Sequence, residues 1–76
     1  MTDHLTQTER DALAYYGRPG AEMLATHAAI DLTWSVQRLH RVAAVLVERG
    51  LLQRWTSGRA VCYRIRDAGR QYLGGA

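Results

Sequence analysis

Trp34, Gln37, Arg38 and Arg41 combine an indole, a carboxamide and two guanidinium groups at steps of one, three and four residues. On a helix, such steps bring the side chains to one side of its first turns. Guanidinium and carboxamide groups each form two parallel hydrogen bonds with a planar partner, and so can hold a phosphate or read the edge of guanine or adenine. Further on, Arg54, Ser57, Gly58, Arg59 and Arg64 add charge and compact donors around a short turn. Other combinations hold less chemistry. His4, His27, His40 and Cys62 show no i, i+3 or i, i+4 pair, whereas a zinc site needs three or four converging ligands, so no metal is expected. No nucleophile with an oriented base stands out, and no glycine-rich phosphate loop precedes a helix, so neither catalysis nor a cofactor is expected.

The element that must present the first group is predicted over Thr33–Arg49. There Val36, Leu39, Ala43 and Leu46, joined by Leu32, recur at helical spacing with Val42 and Val47 widening the stripe. Asp31 or Thr33 would cap it, and Gly50 would end it. Before it, Thr6-Gln7-Thr8-Glu9 fits a capping box opening a helix over 7–16, with Ala12 or Leu13, Tyr16 and Leu5 toward the core and Gly17 at the C′ position. Arg18-Pro19-Gly20 breaks the chain. A second helix is predicted over 21–29, its stripe Ala21, Leu24, Ala25 and Ala28, followed by a turn over Ile30–Thr33. After Gly50 the period changes to two. Leu51–Trp55 and Ala60–Arg66 read as strands joined by Thr56-Ser57-Gly58-Arg59, and Asp67 caps a last helix over 68–73.

With 76 residues the chain is expected to be a single domain over 1–76, its ends at 1–5 and 74–76 flexible. Hydrophobic residues make up 47% and charged residues 22%, unlike a disordered tail. No apolar run approaches the roughly 20 residues that span a bilayer, and the polar start MTDHLTQTER has no signal-peptide core, so a cytoplasmic protein without a membrane partner is expected. Cys62, the one cysteine, reads as a small core residue. The net charge of +3 is unevenly spread: residues 1–32 hold two arginines against five acids, residues 33–76 eight against two. Clustered positive charge suits a polyanion, because each phosphate neutralised releases condensed counterions.

The segment L-x-x-V-A-x-x-L-V-x-x-G-L-L-x-R from Leu39 to Arg54, then Ser57-Gly58-Arg59, Tyr63-Arg64-Ile65 and Asp67-Ala68-Gly69-Arg70, resembles bacterial and phage winged-helix regulators of the MarR-like and ArsR-like type, over about residues 20–73. The resemblance implies an α+β, mostly helical winged helix-turn-helix with three helices, a two-stranded β-hairpin wing and a short C-terminal helix. It implies a small sequence-specific transcriptional regulator of double-stranded DNA. Helix 33–49 would present Trp34, Gln37, Arg38 and Arg41 to the major groove, and wing 51–66 would set Arg54, Ser57, Gly58, Arg59 and Arg64 on the backbone. The alternative is a winged helix that binds a protein. Val42–Val47 is apolar on all sides, and Val45 shares the stripe of Trp34, Arg38 and Arg41, so Trp34 and Val45 would then form the partner surface for another protein or for a weak homodimer.

Overall fold

The computed structural model describes residues 4–74, so positions 1–3 and 75–76 of the expected flexible ends lie outside it. Its elements run α1 (Gln7–Tyr16), α2 (Ala25–Leu32), α3 (Val36–Glu48), β1 (Leu52–Ser57), β2 (Ala60–Ile65) and α4 (Asp67–Gly74). None of these helices is long and apolar enough to cross a membrane.

The first helix forms where expected and for the expected reason. Glu9 donates its amide to Thr6 Oγ1 at 3.2 Å, while the Thr6 amide donates to Glu9 Oε1 at 3.0 Å. Ala12, Leu13, Tyr15 and Tyr16 are buried along it. Leu5, assigned from sequence to a flexible end, is buried too, and Arg10 Nη1 donates to its carbonyl at 2.8 Å. Gly17 ends the helix in the right-handed region, with φ −81°. Its small size matters for packing, since a Cβ there would lie 2.5 Å from Leu73 Cδ1 of α4.

The second helix begins four residues later than its alanines suggest, and it continues through the predicted turn to Leu32. Leu24 instead bridges Cys62, and the Tyr63 amide donates to the Met23 carbonyl at 2.9 Å. The segment before α2 is thus held extended against the free edge of β2, which needs a hydrogen-bond partner. Tyr15 ties the start of the chain to this region: its hydroxyl donates to Asp31 Oδ2 at 2.6 Å and accepts from the Glu22 amide at 2.9 Å.

The turn between α2 and α3 is Thr33–Ser35. Thr33 adopts φ 58°, ψ 36°, with Trp34 N donating to Ala29 O at 2.9 Å. Ser35, rather than Asp31 or Thr33, caps α3 by accepting from the Arg38 amide at 3.1 Å. The helix therefore starts at Val36, not Thr33, and Val36 is 38% exposed instead of core, because it stands one residue past the cap, ahead of the first buried position. Leu39, Ala43 and Leu46 are fully buried, with Leu32, Val42 and Val47 packed partly against them. The helix closes through a Schellman motif: Leu51 N donates to Leu46 O and Gly50 N to Val47 O, both at 2.9 Å, with Gly50 at φ 76°.

In the antiparallel hairpin, Leu52 faces Ile65 and Ser57 faces Ala60 across a two-residue Gly58-Arg59 turn. Gly58 takes φ 62° while Arg59 does not turn positive, the pattern of a turn with glycine at its first central position. Tyr63 and Ile65 reach the core as alternation predicts. Cys62, flanked by Trp55 across the pair and Leu24 on the other edge, is buried as well. The last helix includes Asp67 in its first turn and extends to Gly74.

Candidate nucleic-acid interface

Gln37, Arg38 and Arg41 are exposed on the first turns of α3, as expected. Trp34 is not on that helix. It sits in the turn ahead of the Ser35 cap, half-buried against the core, and the Arg38 guanidinium lies 4.6 Å from the centroid of its ring. The indole thus supports the guanidinium from one face, while its edges remain available for hydrogen bonds. Arg41, Arg59, Arg66 and Arg70 make no side-chain hydrogen bond or ion pair among the described residues, so their charge is not neutralised within the fold. Val45 is half-buried on the flank of α3.

Arg54, Ser57, Gly58 and Arg59 are exposed along the wing. Arg54 shares the helix-facing side of the hairpin with Tyr63, its cross-strand partner. His40 Nδ1 lies 2.8 Å from the Tyr63 hydroxyl, and Tyr63 is almost wholly buried. Burial raises the pKa of that hydroxyl, and the Arg54 guanidinium beside it opposes the rise. His40, Ala44, Val47 and Glu48 line one side of a groove of about 600 Å³ whose other side is Arg54, Val61 and Tyr63. His40, expected only to flank the helix, therefore joins α3 to the wing through Tyr63, so the two positive surfaces are held at a fixed relation. Nothing local in the sequence couples positions 23 residues apart.

The structure does not bring Arg64 to the side of Arg54. Arg64 Nε donates to Gln53 Oε1 at 3.0 Å, and its guanidinium lies 5.7 Å from the Trp55 ring centroid, on the opposite face of the hairpin. There it lines a cleft of about 850 Å³ together with Arg18, Arg66 and Arg70. Sequence reasoning missed these three. Arg66 immediately precedes α4 and Arg70 lies in its first turn, a spacing of four that could have signalled them; Arg18 arrives from the α1–α2 connection and gave no local sign. No three His, Cys, Asp or Glu side chains converge in metal-binding geometry among the described residues.

No protein-family model and no curated protein matches the chain. Two solved structures do. A point mutant of Staphylococcus aureus MepR is 15% identical, with a TM-score of 0.81 over 93% of this chain and 54% of the other. MepR itself, a transcription regulator of the Staphylococcus aureus multidrug efflux pump MepA, is also 15% identical, with a TM-score of 0.80 over the same shares. The chain spans about half the length of these structures. What it shares with them is the winged-helix fold.

Proposed function

We propose that the protein is a sequence-specific double-stranded-DNA-binding regulator of transcription. The observation that carries this reading is the outer face of α3: Gln37, Arg38 and Arg41 stand exposed on a capped helix, with the Arg38 guanidinium over the Trp34 ring and the Arg41 side chain unneutralised. An α-helix fits the major groove, and this set of side chains matches base edges and phosphates. Arg54, Ser57, Gly58 and Arg59 then meet the backbone, which fixes orientation without reading sequence. Likeness of fold to a transcription regulator supports the same reading. One copy presents one such helix and so reads a short site; two copies on half-sites about 34 Å apart would extend it.

Fluorescence anisotropy with labelled duplex, at about 50 and about 200 mM salt, tests the proposal. Binding that weakens steeply with salt, and that favours selected over random duplex, is the expected result. Absence of duplex binding at low salt would refute it. The protein-binding alternative finds less support, because Trp34 is engaged by the core and by Arg38 and Val45 is half-buried.

A further inference from the structure

The cleft between the α1–α2 connection, the hairpin and the start of α4 is separate from the α3 surface, since no α3 side chain lines it. Arg18 enters from the α1–α2 connection, Arg64 from β2, Arg66 from the residue before α4 and Arg70 from its first turn, against a single acid, Asp67. Arg66 and Arg70 have no partner among the described residues. Four arginines and one aspartate in the lining leave an excess of three positive charges, more than a monocarboxylate would balance, with the Arg18 guanidinium 4.8 Å from the Tyr15 ring centroid and that of Arg64 beside Trp55. The apolar part of the lining includes Met23, which is 50% exposed.

A second, independent observation comes from a buried residue of the lining. Tyr16 lines the cleft, is 97% buried by its 3% exposure, and its hydroxyl is the buried side-chain polar atom left without a hydrogen-bond partner among the described residues. Leaving such a group unsatisfied costs about 1–3 kcal/mol, and phenylalanine would avoid that cost with the same ring. The cleft volume also falls within the roughly 300–1,000 Å³ of small-ligand sites.

We propose that this cleft binds a phosphate-bearing ligand, with Arg66, Arg70, Arg18 and Arg64 on the phosphate oxygens and the buried Tyr16 hydroxyl as a further donor in its lining. Phosphate presents several acceptor oxygens and close to two negative charges, which suits convergent guanidinium forks. Its source is either a free phosphorylated molecule or the backbone of a nucleic acid, and the test separates the two.

The full chain, labelled with ¹⁵N, is titrated at constant ionic strength with pyrophosphate, with ADP and with a short random duplex, and amide shifts are followed. Saturable shifts at 18, 20 and 64–70 with pyrophosphate or ADP, sparing 37–41, and weakened at least tenfold in R66A/R70A, assign a free phosphorylated ligand. Shifts at 64–70 with duplex alone, lost in the same double variant, assign backbone phosphate. Because Arg66 and Arg70 are exposed, the variant is expected to keep the wild-type spectrum elsewhere. Tyr16→Phe is expected to raise the thermal midpoint while weakening pyrophosphate binding. Absence of cleft shifts with all three probes, or shifts unchanged in R66A/R70A, would overturn the proposal.

Discussion

Arg38 and Arg41 stand three residues apart on one helix, yet their surroundings assign them different work, and one pair of substitutions tests the difference. Arg38 is stacked at 4.6 Å on Trp34 and its backbone is fixed by the Ser35 cap. A guanidinium held this way is suited to bidentate contact with a base edge, and such a contact discriminates by about 1–3 kcal/mol. Arg41 is exposed and its side chain has no partner among the described residues, so under the proposed function it is expected to act as a phosphate contact. With Arg54 and Arg59 on the wing, three phosphates would be neutralised. Each contributes about −0.9 to the slope of log affinity against log salt, giving a slope near −2.7 and a loss of about 40-fold between 50 and 200 mM.

Arg41→Ala should lower the slope to about −1.8, so that the same salt change costs about 12-fold, and should weaken selected and random duplexes alike. Arg38→Ala should instead cost about 5- to 150-fold on the selected duplex, with little change on random duplex or in slope. The selected duplex comes from in vitro selection with the unmodified protein, and affinities from anisotropy at four or more salt concentrations. If Arg38→Ala alters slope as Arg41→Ala does and leaves the preference for the selected duplex intact, the stacked arginine is a phosphate contact and the division of labour is wrong.

Gly69→Ala should lower the thermal midpoint by the equivalent of about 1–3 kcal/mol, because the added Cβ would lie 2.5 Å from the Leu51 carbonyl oxygen and 2.7 Å from Ile65 Cγ1; a rise of about 1 kcal/mol, the gain from helix propensity alone, would show that α4 is not seated there. Thr33→Gly should raise it by about 0.5–1 kcal/mol, since relief of a left-handed β-branched residue at φ 58° exceeds the entropic cost of glycine, and calorimetry showing a loss would contradict the strained turn. Alkali should destabilise the fold. Burial raises the phenol pKa of both Tyr16 and Tyr63 above the ordinary value, so their contribution is complete below pH ~10 and falls above it, as the unfolded chain releases its protons first, by up to about 1.4 kcal/mol per pH unit for each. Urea titrations at pH 9 and pH 11 giving equal stability would refute this.

What could be read from the residues, and what could not, divides along the range of the forces involved. The capping box at Thr6 and Glu9 and the buried stripe of Leu39, Ala43 and Leu46 are local patterns and form as their spacing predicts, whereas the hairpin turn tightens from the expected 56–59 to Gly58-Arg59, with Thr56 and Ser57 joining β1. Ala21–Leu24 is local helix former by composition, yet it lies extended because Met23 and Leu24 complete the edge of a strand some 40 positions away. The start of α3 was ambiguous for a related reason. Asp31, Thr33 and Ser35 are all capable caps, and α3 has Arg38 at its third position where a glutamate would have marked the true one, as Glu9 does for α1. Thr33 takes the left-handed position that closes α2, which leaves Ser35 to open α3. That shift of three residues moves Trp34 off the outward face of the helix and places its ring beneath Arg38. A residue expected to face the groove instead supports the arginine proposed to enter it. Replacing Trp34 by alanine should therefore act through Arg38, lowering preference for selected duplex while leaving the salt slope near that of the unmodified protein.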